Sequence, residues 1–276
     1  MGDELLDAVY VVRGGQSRAL EYSLRSLCNL PHGQVWLFGG PPADTVFNTR
    51  NVATPQDETK YRNTTRALQL ACQHPEVSDP FILMNDDFYI VQPVPAIPPL
   101  HRGPVSGVLA DYGSRYGRYT TYAKGMEATA QLLAGMGHPA PLSYELHVPM
   151  VVDKAAMLRV IAMGEHLPVL HKRTLYGNLA GVGGEYMADV KVAKPGERIP
   201  HGPFLSSMSG KAFEYLEPVL RYWLPDPGPY YAPKPEYKRL RVAVAFEGVD
   251  YAANSLQPVP LLLRMREAGV IKGRGL

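Results

Sequence analysis

Two adjacent aspartates interrupt an apolar run of this chain. The run PFILMNDDFYIV covers residues 80–91 and has Asn85, Asp86 and Asp87 at its centre. A buried, unpaired carboxylate costs several kcal/mol or takes up a proton, so two neighbouring aspartates do not both enter a hydrophobic core. The predicted strand therefore ends where the aspartates begin, and a positive partner is needed to keep them charged.

The composition is that of an ordinary soluble globular protein. Of the 276 residues, 46% are hydrophobic and 20% are charged, with a formal net charge of +2. A chain of this size buries a substantial core without staples. Its two cysteines, Cys28 and Cys72, lie in no CxxC or Cys/His cluster, which disfavours structural zinc and a disulfide framework and favours a reducing, cytoplasmic compartment. The absence of a basic, apolar leader and of an 18-residue apolar run disfavours secretion and membrane spanning.

The first half of the sequence alternates strand-like and helix-like segments. Residues 9–12 are β-branched and apolar and predict a buried strand, and the following leucines predict a helix that stops at Pro31. GQVWLFGG predicts a second strand, and residues 57–74 contain a second helix with Asn63 or Thr64 as its N-cap. The apolar run with the two aspartates follows as a third strand. This order predicts an α/β fold built from βα units.

The aspartates are expected at the ligand-binding edge of that sheet. Ligands of open α/β sheets bind beyond the carboxyl ends of the strands, where both Asp86-Asp87 and Arg13-Gly14-Gly15 would lie. Mg²⁺ and Mn²⁺ prefer oxygen ligands, commonly one or two carboxylates with phosphate oxygens and water. A metal site is therefore one interpretation. The other is a turn in which the Asp side chains cap backbone amides.

The order of several blocks resembles known glycosyltransferases. YVVRGG, LEYSLRSL, VWLFGG, TKYRNTTRALQLAC, VSDPFILMNDDFYI and ELHVPMVVDKAAM are similar to blocks shared by phage-encoded glycosyltransferases and Stealth-type sugar-phosphate transferases, over about residues 7–215. The resemblance implies an A-type glycosyltransferase-like fold, a mixed sheet flanked by helices. It also implies that the acidic motif holds a metal ion bridging the diphosphate of a nucleotide-sugar. The motif here is Asn-Asp-Asp rather than Asp-x-Asp.

The resemblance assigns roles to the acidic residues and the donor. Asp87 is expected to bind Mn²⁺ or Mg²⁺ directly, and Asp86 to face the ribose or a metal-bound water. The expected donor is a nucleotide-sugar, in the first place a UDP-sugar. If the chain is phage-encoded, it acts in the host cytoplasm.

Further donor-binding residues are predicted near the first strand and the second helix. Arg13 could reach the nucleotide while Gly14 and Gly15 allow close backbone approach; a plain surface turn is the alternative. Lys60 and Asn63 share one helix face, where Lys60 would contact phosphate and Asn63 the base or ribose.

Candidate catalytic residues follow the middle of the chain. Glu145 and His147 alternate along the extended stretch SYELHVP, and each is a candidate base for the acceptor hydroxyl. The Stealth resemblance favours His147. Arg173 is predicted to neutralise the diphosphate leaving group, and Asp189 to be a third oxygen ligand of the metal.

The stretch YGSRYGRYTTYAKG, residues 112–125, interleaves tyrosines with basic residues. Tyrosine faces stack on sugars or bases while basic groups contact phosphate. A loop is expected here in either case, and this mixture predicts acceptor binding by Tyr112, Arg115, Tyr116 and Arg118. The alternative is that the tyrosines pack on the edge of the domain.

Composition separates a transferase domain, residues 1–229, from a small α/β extension, residues 230–276. The extension carries eight Lys and Arg against four Asp and Glu, and is predicted to form a strand and a helix. Together with the phage resemblance, this basic segment favours DNA carrying a 5-hydroxymethylated pyrimidine, such as 5-hydroxymethylcytosine, as acceptor. A virion protein acceptor, a Stealth-like sugar-1-phosphate transfer and a non-enzymatic DNA-binding role remain alternatives.

Overall fold

The computed structural model describes residues 5–15, 17–40, 46–116 and 120–231. Its strands are β1 (Ala8–Val12), β2 (Val35–Gly39), β3 (Arg50–Ala53), β4 (Phe81–Asn85), β5 (Phe88–Ile90), β6 (Leu100–His101), β7 (Met150–Val152), β8 (Glu185–Tyr186), β9 (Lys191–Val192) and β10 (Phe204–Ser207). Its α-helices are α1 (Arg18–Ser26), α2 (Lys60–Gln73), α3 (Val105–Tyr116), α4 (Thr121–Gly135), α5 (Lys154–Met163), α6 (Lys172–Leu179) and α7 (Lys211–Trp223). Short 3₁₀ turns cover Leu27–Asn29 and Gly228–Tyr230.

A five-stranded mixed sheet forms the centre of the fold. Its strand order is β3-β2-β1-β4-β7, in which the first four strands are parallel and β7 runs antiparallel to β4. Parallel strands bring their carboxyl ends to one edge, so β1 ends beside β4 at the edge where ligands of such sheets bind. The predicted mixed sheet flanked by helices is confirmed.

Each face of the central sheet is covered by helices because the buried strands are apolar on both faces. On one face Tyr10 of β1 belongs to a core cluster with leucines of α1, and on the other Val9 joins a cluster with α2, α5 and α6. The alternation follows from the two-residue period of a strand. Both clusters also contain residues of β2 and β4, so the three strands that carry the edge are packed on both faces.

The apolar run of residues 80–91 forms two strands that belong to different sheets. β4 ends at Asn85 in the central sheet, and β5 begins at Phe88 and pairs antiparallel with β10 in a three-stranded sheet, β5-β10-β9. Asp86 and Asp87 make the turn between them. The chain therefore passes from the central sheet to the second sheet where the two carboxylates occur.

Several local predictions are wrong, each for a physical reason. The N-cap of α2 is Thr59, whose hydroxyl accepts from the Arg62 amide, and not Asn63 or Thr64. Residues 112–125, predicted as a loop, lie largely in the helices α3 and α4. Thr120 is the N-cap of α4. Helical packing of Val105, Val108 and Met126 outweighs the glycines there. The strand β3 was not predicted, because its four residues are mostly exposed.

The predicted strand and helix of the basic extension fall on residues 238–276, outside the described residues. Tyr230 and Tyr231, directly after the predicted domain boundary, are buried in the first core cluster. Of the helices in the described part of the chain, none combines the length and the apolar character that crossing a bilayer requires.

Candidate active site

The acidic turn is held by buried structure on both sides. Phe81 to Met84 of β4 and all of β5 are buried, while Asn85, Asp86 and Asp87 are partly exposed. The buried hydroxyl of Ser23 on α1 lies 2.5 Å from the Phe88 carbonyl oxygen and 3.3 Å from that of Asn85, one on each side of the turn. The two strands and the Ser23 hydroxyl therefore hold the backbone of the turn that carries the two carboxylates.

The two aspartates have different electrostatic environments. Asp87 forms an ion pair with Lys191 of β9, with 2.8 Å between Nζ and Oδ2. Burial, and then the negative charge of Asp87, raise the pKa of Asp86 to about 6, which Lys191 and Arg13 only partly offset. Asp86 is thus the carboxylate that lacks a close cation among the described residues.

This arrangement suits a divalent ion held by two carboxylates. A cation at the turn would supply the positive charge that Asp86 lacks, and Mg²⁺ sites commonly take one or two protein carboxylates with substrate phosphates. A protein-only cluster is not present: in the described segments, no group of three His, Cys, Asp or Glu side chains could hold a metal ion. Asp189, the predicted third ligand, pairs with His147 and Arg102 in this structure, and its role as a metal ligand stays a prediction.

Asp189 forms a hydrogen-bonded dyad with His147. Both carboxylate oxygens of Asp189 lie 2.9 Å from His147 Nδ1, and Arg102 Nη1 lies 3.3 Å from Oδ2. Burial by itself raises the pKa of Asp189, but the hydrogen bond and charge of His147, together with Arg102, lower it to about 2. An ionised carboxylate only accepts, so the proton lies on Nδ1 and leaves Nε2 of a neutral His147 as a proton acceptor.

Phe88 connects the dyad to the acidic turn. The His147 ring contacts the edge of Phe88 at 6.2 Å between centroids, and the Arg173 guanidinium stacks over the same ring at 5.4 Å. Phe88 directly follows Asp87 in the chain. The predicted base and the predicted metal-binding residues are therefore neighbours in the structure.

One extended segment supplies a partner to each half of the site. Asp189 and Lys191 are two residues apart, which places their side chains on the same face of extended chain. Asp189 binds His147, and Lys191 binds Asp87. Residues 189–191 thus tie the acidic turn to the candidate base.

Arg173 supports the segment that carries His147. Its two terminal nitrogens donate to the backbone carbonyl oxygens of Leu146 and Val148, and burial lowers its pKa to about 10. The predicted contact with a diphosphate would need these bonds to be exchanged. Asn178 bonds the backbone of Leu142 and supports the same loop.

Glu145 and His147 do not share a partner. Glu145 Oε1 accepts a hydrogen bond from the Thr174 amide at 3.2 Å, in the first turn of α6. A carboxylate is favourable at a helix N-terminus because it satisfies a free amide and interacts with the helix dipole. Glu145 therefore lies beside the start of α6, and the role of either residue as a base stays a prediction.

A crevice beyond the end of β1 brings several predicted donor residues together. This donor crevice has a volume of about 430 Å³ and is lined by Val11, Val12, Arg13, Gln56, Glu58, Lys60, Asn63 and Thr64. The side chain of Asn63 is occupied by backbone bonds to Glu58, at 3.0 and 3.1 Å. Gly14 and Gly15 follow Arg13 with positive φ. Gly40, directly after β2, passes close to the backbone of Arg13. A Cβ at this position would lie 2.2 Å from the Arg13 carbonyl oxygen, so a glycine is required.

Three of the predicted acceptor residues, Tyr112, Arg115 and Tyr116, belong to α3. Tyr112 packs against Tyr122, with 5.2 Å between ring centroids, and Arg115 pairs with Asp111 at 3.1 Å. Tyr116 ends α3, and nothing is described of its side chain; Arg118 lies outside the described residues. The Tyr122 ring in turn contacts the His171 ring, with 4.5 Å between their centroids. Acceptor binding by these residues stays a prediction.

Sequence reasoning missed Lys191, Arg102, His171 and Lys172. Lys191 and Arg102 act through partners 104 and 87 positions away in the chain, so no local pattern marks them. His171 and Lys172 stand directly before Arg173 in HKRT, and a run of three basic residues at a helix start was the available signal.

The comparisons with known proteins give a distant likeness in shape. No family model matches the chain, and no curated protein matches it. Among solved structures, a galactosyltransferase, LgtC, crystallised in complex with donor and acceptor sugar analogues, superposes with a TM-score of 0.48 at 8% identity. The superposition covers 85% of this chain and 99% of that one. A similarity at this level concerns the course of the backbone and says nothing about substrates.

Proposed function

We propose that the protein is a metal-dependent glycosyltransferase of A-type fold that moves a sugar from a nucleotide-sugar to an acceptor hydroxyl. The observation that carries the proposal is the convergence at one sheet edge of the Asp86-Asp87 turn, the Arg13 and Lys60 side of the donor crevice, and the His147-Asp189 dyad. Together they offer phosphate contacts, a pair of carboxylates for a divalent ion, and a base. The block resemblance in the sequence favours the same chemistry.

The nucleotide is proposed to bind in the donor crevice. Arg13 offers a guanidinium that matches phosphate oxygens, and Lys60 offers a point charge. A volume of about 430 Å³ falls within the range of small-molecule pockets, roughly 300–1,000 Å³. Asp86 and Asp87 would hold Mn²⁺ or Mg²⁺, which when bound neutralises charge on the diphosphate leaving group.

His147 is proposed as the general base. Its Nε2 accepts the proton of the acceptor hydroxyl as the bond to the sugar forms. Asp189 fixes the ring orientation and stabilises the imidazolium that results, and Arg102 keeps Asp189 ionised. Arg173 keeps the His147 backbone in place through the carbonyls on either side of it.

The test is a transfer assay with the full chain, Mn²⁺ and a panel of nucleotide-sugars. Asp87→Ala is expected to lower transfer by at least about 100-fold without unfolding the protein, because the electrostatic stabilisation of the leaving group is lost. Glu76→Ala, at an exposed glutamate paired with Arg50, is the matched control and should transfer normally. Near-normal turnover of Asp87→Ala, or full activity in EDTA, would refute the metal role.

The released nucleotide separates two reaction classes in the same assay. Glycosyl transfer releases a nucleoside diphosphate. Sugar-1-phosphate transfer, the Stealth-like reaction, releases the monophosphate and would replace the proposal.

The acceptor is proposed to be a hydroxymethylated pyrimidine in DNA, on the basic composition of residues 230–276. Removing residues 238–276 is expected to raise the KM for DNA containing 5-hydroxymethylcytosine more than the KM for the donor. Product mass on modified DNA, unmodified DNA and a protein acceptor is the measurement. Transfer to protein alone, or an unchanged acceptor KM after truncation, would contradict it.

A further inference from the structure

A second pocket opens beside the donor crevice. It has a volume of about 180 Å³ and shares the lining residues Val11 and Thr64 with that crevice. Its other walls come from the end of β4, the start of α6 and Glu145. This volume is below the roughly 300 Å³ of the smaller drug-sized sites, so it suits a single ring rather than a nucleotide.

Three charged side chains line this pocket: Glu145, Lys172 and Arg173. The terminal nitrogens of Arg173 already donate to the carbonyl oxygens of Leu146 and Val148, which leaves Glu145 and Lys172 as the oppositely charged pair for a ligand. Lys172 Nζ lies 3.3 Å from Thr64 Oγ1, its one hydrogen bond within the described segments. An ammonium has three donors and a carboxylate has two oxygens, so both Lys172 and Glu145 keep capacity for a ligand. A hydroxyl group can donate to the carboxylate and accept from the ammonium, and a polyol offers several such groups.

His171 makes the Glu145 side of the pocket rich in acceptors. His171 is 2% exposed, and burial lowers its pKa. Its Nε2 lies 3.1 Å from the Tyr122 carbonyl oxygen, which only accepts, so the proton is on Nε2 and Nδ1 is an acceptor. Nδ1 is buried with no hydrogen-bond partner in the described structure, 3.9 Å from Glu145 Oε1. A ligand carboxylate would add a further acceptor here, whereas a hydroxyl brings a donor.

Apolar side chains form much of the remaining wall, together with the rings of Tyr61 and Tyr122. Leu68, Leu83, Val169 and Leu170 line the pocket beside Tyr122. Ligand pockets commonly combine such walls with a few polar groups that fix orientation. The C–H faces of a sugar ring match these walls, and its hydroxyls match Glu145 and Lys172.

We infer that this pocket binds the transferred sugar, that the sugar is an uncharged hexose, and that Glu145 and Lys172 are its hydroxyl ligands and determine donor specificity. The inference rests on the proposed function. Glu145 then acts as a binding residue and not as the general base.

The experiment compares binding of nucleoside diphosphate with binding of nucleotide-sugar. Calorimetry with Mn²⁺ uses UDP against UDP-glucose and GDP against GDP-mannose. Lys172→Met and Glu145→Gln each remove one charged hydrogen bond, so each is expected to weaken nucleotide-hexose binding by about 10-fold or more. The affinity for the matching diphosphate should stay within about 2-fold. Lys194→Met, at an exposed lysine, is the matched control.

If the two variants lose the same affinity for the diphosphate as for the nucleotide-sugar, or lose affinity for neither, the inference is overturned and the proposed function stays intact. A comparison on the unmodified protein needs no variant: UDP-glucuronate should bind more weakly than UDP-glucose, and tighter binding would overturn the uncharged assignment. If the unmodified protein binds no nucleotide, the proposed function fails and the inference with it.

Discussion

Replacing Asp86 with asparagine is expected to stabilise the protein at neutral pH. Burial and the neighbouring Asp87 raise the pKa of Asp86 from 3.8 to about 6. The charged form is therefore disfavoured in the folded state, and an amide of the same shape removes that cost. The difference in pKa corresponds to about 3 kcal/mol in the free energy of unfolding at pH 7.

The pH dependence gives this prediction its sign. Because the folded pKa is raised, the contribution of Asp86 to stability is fully present below pH 3.8 and is lost as the pH rises through about 6. The advantage of Asp86→Asn should therefore be small near pH 4, grow between pH 4 and 6, and remain constant above. At pH 7 the melting temperature should rise by about 6 to 12 °C.

The assay is denaturant unfolding in EDTA from pH 4.5 to 7.5, with Asp111→Asn as control. The control aspartate is exposed and paired only with Arg115 in the described structure, so its effect should stay within about 0.5 kcal/mol. Adding Mn²⁺ at 100 times its Kd should stabilise the unmodified protein by about 2.7 kcal/mol and Asp86→Asn by much less. An Asp86→Asn protein that is no more stable at pH 7, or equally stabilised at pH 4.5 and 7.5, would refute the reasoning.

Two further substitutions test the dyad and the backbone beside it. Asp189→Asn should lower kcat by about 100-fold or more while nucleotide affinity is kept, because His147 loses the group that orients it and stabilises its charge; unchanged kcat would exclude the dyad. Gly184→Ala should lower the melting temperature more than Gly181→Ala, since both have positive φ but only at Gly184 would a Cβ meet the Pro99 carbonyl oxygen, at 2.2 Å. Equal losses of about 1 to 2 kcal/mol in both variants would show that the φ angle alone matters.

Periodicity predicted the elements that build the sheet edge. β1, α1, β2 and α2 were recognisable because buried strands are continuously apolar and helices repeat every three to four residues. The position of Asp86 and Asp87 at a strand end followed from the cost of burying charge alone. These arguments use only neighbouring residues, which is why they succeed from one sequence.

The hydrogen bonds and ion pairs inside the site could not be predicted from neighbouring residues. Asp189 read as an oxygen ligand because nothing near it in the chain indicates a histidine 42 positions earlier. Lys191 sits in a two-residue strand with no pattern of its own, yet it decides which of the two aspartates is neutralised. Residues 112–125 suggest a loop because they contain three glycines, which disfavour a helix locally. The apolar residues that stabilise α3 and α4, namely Val105, Val108 and Met126, lie outside this stretch.

The spacing of Asp189 and Lys191 sets a limit on sequence drift. An insertion or deletion of one residue between them would rotate one side chain to the opposite face, and either the imidazole or the acidic turn would lose its counter-charge. Chain length between these two positions should thus be fixed in any functional descendant, and the intervening Val190, which is buried in the first core cluster, should stay apolar. Loop grafts intended to change the acceptor should stop short of this tripeptide.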